Sequence, residues 1–272
     1  RLRRDLIDLE ADGLSLPAPD PGAHQSRRGS VTSRIATSVR PDQHLLTGPV
    51  AVLALFCLVW LLVLGARAIR ETALEDPWQS RVLLGLGGVV VLVHLLAPSG
   101  MVMVYSGYAQ VAELLQWEPL RYGAGANWLY GPWLAWLGSD HSVVQLANRF
   151  YGVLGWVLLV AWSARLCPRA TWAVAAVTAL APILWRDHAS ESILVGGWMM
   201  LIAALFALSE AARTGRAAVG LLGLPCALMA AMTRPEMALA LVPLGLVTLL
   251  HHRPTWSRRG WGLLALAVFC GL

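Results

Sequence analysis

The 272-residue chain is 57% hydrophobic and 14% charged, against about 25% charged in a typical soluble domain. So little charge cannot cover a water-facing surface, which excludes an ordinary soluble globular protein. The net charge of +5 rests on 21 basic residues, all of them arginine. They gather at the ends of apolar blocks, which argues for the charge bias that flanks membrane spans and against a nucleic-acid surface. Arginine-only usage points to a GC-rich genome and hence to a bacterial inner membrane and cell envelope as the setting.

Residues 1–45 combine Pro, Ser, Asp, Gln and seven Arg with little apolar periodicity, the composition of a disordered tail. From 46 to 272 the pattern predicts an all-α, polytopic transmembrane bundle. Apolar blocks fall at 49–66, 82–98, 144–164, 171–185, 192–211, 217–232 and 235–251, and an eighth starts near 260. The blocks are continuous, as helices require, and do not alternate as barrel strands do. About 20 apolar residues cross a bilayer, so seven to eight spans are expected, with 171–185 and 217–232 short for the task. The chain opens on Arg1 and stops at Leu272 inside an apolar run, and it reads as part of a longer one.

Arginine placement sets the expected orientation. Arg67, Arg70 and Arg81 flank one connection, Arg165 and Arg169 a second, Arg213 and Arg216 a third, and Arg253, Arg258 and Arg259 a fourth. These alternate with arginine-poor connections, so all four are expected on the cytoplasmic side. The connections at 186–191 and 233–236, and the long segment 99–143, are then expected on the outer side. The four cysteines, Cys57, Cys167, Cys226 and Cys270, share no metal-ligand spacing and read as small hydrophobes. His94 in the second block reads as a satisfied core histidine.

Segment 99–143 is the only sizeable polar excursion between blocks, and function concentrates in such segments. Tyr105 to Gln116 has helical spacing, with Tyr105, Tyr108, Ala112 and Leu115 along one side, and predicts a helix lying in the membrane interface. Arg121 to Trp133 is dense in Gly and aromatics; its bland reading is an interfacial aromatic belt.

Three short motifs follow one another in order. They are Tyr-Gly-x-Gly-x-x-x-Leu-Tyr-Gly-Pro at 122–132, His188-Ala189-Ser190-Glu191-Ser192 at the mouth of a span, and Met232-Thr233-Arg234-Pro235-Glu236 between two spans. This layout over residues 82–260 resembles the GT-C glycosyltransferases, polytopic enzymes that take a sugar from a polyprenyl-phosphate carrier, as dolichyl-phosphate-mannose mannosyltransferases do. The resemblance implies a GT-C-like fold with chemistry at the outer face. It implies the bilayer and a polyprenyl-phosphate-linked sugar as partners, and no nucleic acid. A divalent metal is compatible with it, although no ligand cluster specifies one. The family's acidic residue just after the span has no counterpart in Ser99 to Ser106, and Glu113 is the nearest substitute.

Such transfer needs a carboxylate to take the acceptor's proton and positive charge to hold the leaving phosphate. Glu113, Glu191 and Glu236 are the expected catalytic acids. Tyr105, Tyr108, Arg121, Tyr122, Asn127, Tyr130, His188 and Arg234 are the expected substrate contacts, with Arg121 and Arg234 able to fork onto phosphate. The bland alternatives are a turn-fixing ion pair for Arg234 and Glu236, and a boundary role for Glu191. Two other functions compete: a non-catalytic protein on the same scaffold, and a transporter, for which no convincing repeat is visible.

Overall fold

The computed structural model describes residues 40–96, 114, 124–138, 141–181 and 194–252, with backbone alone for 40–46 and 141. Every regular element among them is helical: α1 (Arg40–Glu75), α2 (Pro77–Leu96), α3 (Gly125–Leu137), α4 (His141–Leu166), α5 (Thr171–Leu180), α6 (Leu194–Thr214), α7 (Ala217–Thr233) and α8 (Pro235–His251). One 3-10 turn, Pro168–Ala170, leads into α5.

Among the described residues four helices are long and apolar enough to cross a bilayer: α1 over Thr47–Glu75, α2, α4 over Ser142–Leu166, and α6. Helices α7 and α8, at 17 residues each, are about 25 Å long at 1.5 Å per residue. That falls just short of a hydrocarbon core of about 30 Å. Helix α5 has ten residues, about 15 Å, and stops at Ala181 well before the expected end of its block. The expected eighth block near 260 lies outside the described residues. Helix α1 begins at Arg40, and residues 1–39 of the expected tail lie outside the described residues.

The expected connection at 67–81 is hardly a connection. Helix α1 runs on through its polar end to Glu75, and α2 starts at Pro77, leaving only Asp76 between them. Proline suits the first helical position because its missing N–H would be unpaired there anyway. Asp76 caps the new helix: its Oδ1 accepts from the backbone N of Trp78 at 2.9 Å and of Gln79 at 3.4 Å.

The core forms around α6, which packs against α7, α4 and α8. Of its most apolar stretch 78% is buried, against 22% for α2. Small residues permit this closeness, as in membrane helix pairs generally. A Cβ on Gly223 of α7 would lie 2.8 Å from Ala207 Cβ of α6, and one on Gly65 of α1 would lie 3.2 Å from Ala161 Cβ of α4. Phe56, Trp60, Leu84 and Leu239 point away from the protein, as side chains bathed in lipid do. Cys57 and Cys226 are buried, and the Cys226 thiol points at the Ala54 carbonyl, 3.7 Å away. Cys167 is exposed at the end of α4. His94 is buried with its Nδ1 2.7 Å from the Val90 carbonyl oxygen, a satisfied core histidine as expected.

The candidate site at one end of the bundle

Helix α3 is held by glycine at the points where it crosses other helices. A Cβ on Gly125 would lie 2.6 Å from the Met232 carbonyl carbon and 2.6 Å from the Thr233 nitrogen. Backbone cannot yield there, so the first residue of α3 must lack a side chain. Gly196 at the start of α6 is confined less tightly, by the Leu129, Tyr130 and Tyr151 side chains at 3.0–3.3 Å, and Gly197 by the Thr233 methyl at 3.1 Å. The starts of α3 and α6 and the turn between α7 and α8 therefore meet at one end. Two of the stretches that carry the family resemblance, 124–132 and 232–236, meet here.

Buried hydrogen bonds fasten it. The Tyr130 hydroxyl donates to Asn148 Oδ1 at 2.6 Å and accepts from the Gly196 backbone N at 3.0 Å. The Tyr151 hydroxyl donates to the Leu129 carbonyl and accepts from Trp133 Nε1 at 2.9 Å. The Tyr130 and Tyr151 rings meet edge to face with centroids 5.5 Å apart, a favoured aromatic geometry. Burial pushes the Tyr130 hydroxyl well above its ordinary pKa, so it keeps the proton it donates.

The turn between α7 and α8 follows from its sequence. Arg234 precedes Pro235, which disfavours helical backbone, and it is extended at φ −153° and ψ 123°. Its backbone N still donates to the Ala230 carbonyl at 3.0 Å. The guanidinium lies 3.9 Å from the Glu236 carboxylate, with side chains 22% and 57% exposed. Glu236 occupies the first turn of α8, where the helix dipole favours an anion.

Of the expected site residues, Asn127, Tyr130, Arg234 and Glu236 come together at this end. Asn127 and Tyr130 are buried, Arg234 is half-buried and Glu236 is exposed. Glu113, Glu191, Tyr105, Tyr108, Arg121, Tyr122 and His188 lie outside the described residues, as does the predicted interfacial helix apart from Leu114, which is helical and buried. From the sequence, Trp133 stands only within the aromatic belt, and Asn148 and Tyr151 carry no assigned role. The pattern existed: Tyr130 and Trp133 are three apart on α3, Asn148 and Tyr151 three apart on α4, and the two pairs face each other.

The opposite end holds an ion network that sequence reasoning also missed. Arg165 pairs with Glu210, and with Glu71 at 2.8 Å; Arg213 joins Glu210 at 2.9 Å. Nearby, His252 Nε2 is 2.8 Å from the Ser209 hydroxyl. The network ties α1 to α4 and α6. It places three of the arginine-rich connections at one end and the candidate site at the other. Among the described residues no group of three or more His, Cys, Asp or Glu could hold a metal ion. Compared with protein-family models, characterised proteins and solved structures, the chain matches none.

Proposed function

We propose that this membrane protein is a GT-C-like glycosyltransferase that moves a sugar from a polyprenyl-phosphate carrier to an acceptor hydroxyl at the outer face of a bacterial inner membrane. The observation that carries the reading is convergence. The first and third motifs meet at one end of the bundle, where Gly125 abuts the Met232 and Thr233 backbone, and Gly197 near the start of α6 abuts the Thr233 side chain.

In this reading the bond between the anomeric carbon and the carrier phosphate breaks, and a bond to the acceptor oxygen forms. The acceptor's proton passes to a carboxylate, drawn from Glu113, Glu191 and Glu236. Arg234, with Arg121, forks onto the departing phosphate. The Arg234–Glu236 separation of 3.9 Å is long for an ion pair. Tyr130 serves the site from behind, by holding α3 in place, and Asn127 is buried on the same helix.

The non-catalytic reading keeps one observation in its favour. Tyr130 is satisfied by Asn148 and the Gly196 amide, and Tyr151 by the Leu129 carbonyl and Trp133, which is how a purely structural joint is built. Transfer from radiolabelled polyprenyl-phosphate sugars, assayed with the purified chain in lipid nanodiscs, separates the two. Loss of about 10²–10⁴ in kcat is expected when the responsible carboxylate becomes an amide. Activity that survives Glu113→Gln, Glu191→Gln and Glu236→Gln combined refutes the site; no transfer from any such donor favours the structural joint.

A further inference from the structure

At the end of the bundle that holds the ion network, two turns from different parts of the chain are locked together. Gln79 Nε2 donates to the Pro168 carbonyl at 3.0 Å, joining the start of α2 to the 3-10 turn before α5. Gln79 is itself buried. Beside this bond the Trp78 and Trp172 rings meet edge to face at 5.4 Å, and both indoles are exposed. The arrangement is anchored below by Leu83, Val160 and Ala175.

Arg81 lies two residues beyond Gln79, and Arg169 directly follows Pro168. Both are exposed. Among the described residues neither pairs with a carboxylate, whereas Arg165 and Arg213 at the same end are committed to Glu71 and Glu210. The nearby Asp76 is occupied in capping α2, and Glu75 is the remaining exposed acid on the turn.

We propose that Trp78, Trp172, Arg81 and Arg169 form a docking site for the headgroup of an anionic phospholipid. Indoles settle at the level of the lipid glycerol, with the apolar body in the chains and the N–H toward water. Two guanidiniums at that level carry the fork that fits a phosphodiester. Charge complementarity selects the occupant: a zwitterionic headgroup brings its own cation and gains little from two arginines. The site is independent of the glycosyltransferase reading, since it lies at the other end of the molecule.

Native mass spectrometry of the detergent-solubilised chain, titrated with phosphatidylglycerol or phosphatidylcholine, tests this. The unmodified chain should retain phosphatidylglycerol preferentially, and each of Arg81→Gln and Arg169→Gln should weaken that retention about fivefold, as expected for one basic side chain at an anionic surface. Arg216→Gln, an exposed arginine in a different connection at the same end, should change it less. Equal retention of the two lipids, or a double R81Q/R169Q variant that binds phosphatidylglycerol like the unmodified chain, overturns the proposal. So does displacement of the lipid by millimolar inorganic phosphate, which would make the pair a free-anion site.

Discussion

Single positions carry unequal demands, and the glycines show it. Gly125→Ala places a methyl against immovable backbone of Met232 and Thr233, and should cost about 1–3 kcal/mol. Gly88→Ala in α2 meets nothing within 4 Å and should be neutral, or stabilising by up to about 1 kcal/mol through helix propensity. Thermal unfolding in one detergent ranks the two. His252 makes a second test. Its burial, helped by His251 and Arg213, holds its pKa below the ordinary 6.5. The unfolded chain therefore binds the proton first as pH falls. The stabilisation is fully present above pH 6.5 and is lost as pH drops through the lower folded value. His252→Gln should flatten that part of the stability–pH profile.

Helices and their joints were read unevenly from the sequence. The apolar blocks located the helices, because lipid demands long unbroken runs. Their ends were less visible. Helix α1 continues through Arg67, Arg70 and Glu71, since polar residues form helix as readily as apolar ones once α1 has begun; only Asp76 and Pro77 mark the stop. The Arg234-Pro235 turn was plain, because proline restricts its neighbour locally. The partnership of Tyr130 with Asn148 and Gly196 was not, because it depends on how three helices approach. The same holds for Arg165 and Glu210, 45 residues apart. Both are nearly buried, so Glu210→Ala, which leaves the Arg165 charge with only the exposed Glu71, should destabilise by about 3–5 kcal/mol at most. Glu71→Ala removes a largely exposed partner and should cost at most about 1 kcal/mol. Replacing both buried partners, as in Arg165→Met with Glu210→Leu, should restore most of the loss. Denaturation midpoints of the three variants decide this.

Across the molecule, the two ends are chemically distinct: one holds the ion network, the other the glycine-lined crossing of α3, α6 and α7. Their separation predicts a labelling pattern. Gly138 and Gly215, both at positive φ in exposed turns, lie at opposite ends. Cysteines placed there in a cysteine-free background should react with a membrane-impermeant maleimide from opposite sides in intact cells, Gly138 from outside. Labelling of both from one side would dismantle the arrangement, and reversed sides would remove the outer-face chemistry proposed here.

The single-residue break at Asp76 has a rotational consequence. With no slack between α1 and α2, the phase of one helix dictates the phase of the other. One extra alanine after Asp76 would turn α2 by about 100°, given 3.6 residues per turn. That swings Gln79 off Pro168 and Trp78 off Trp172, while Glu71 keeps its grip on Arg165. Such an insertion should abolish anionic-lipid retention yet leave the far end of the bundle folded, which no substitution at Asp76 itself would do.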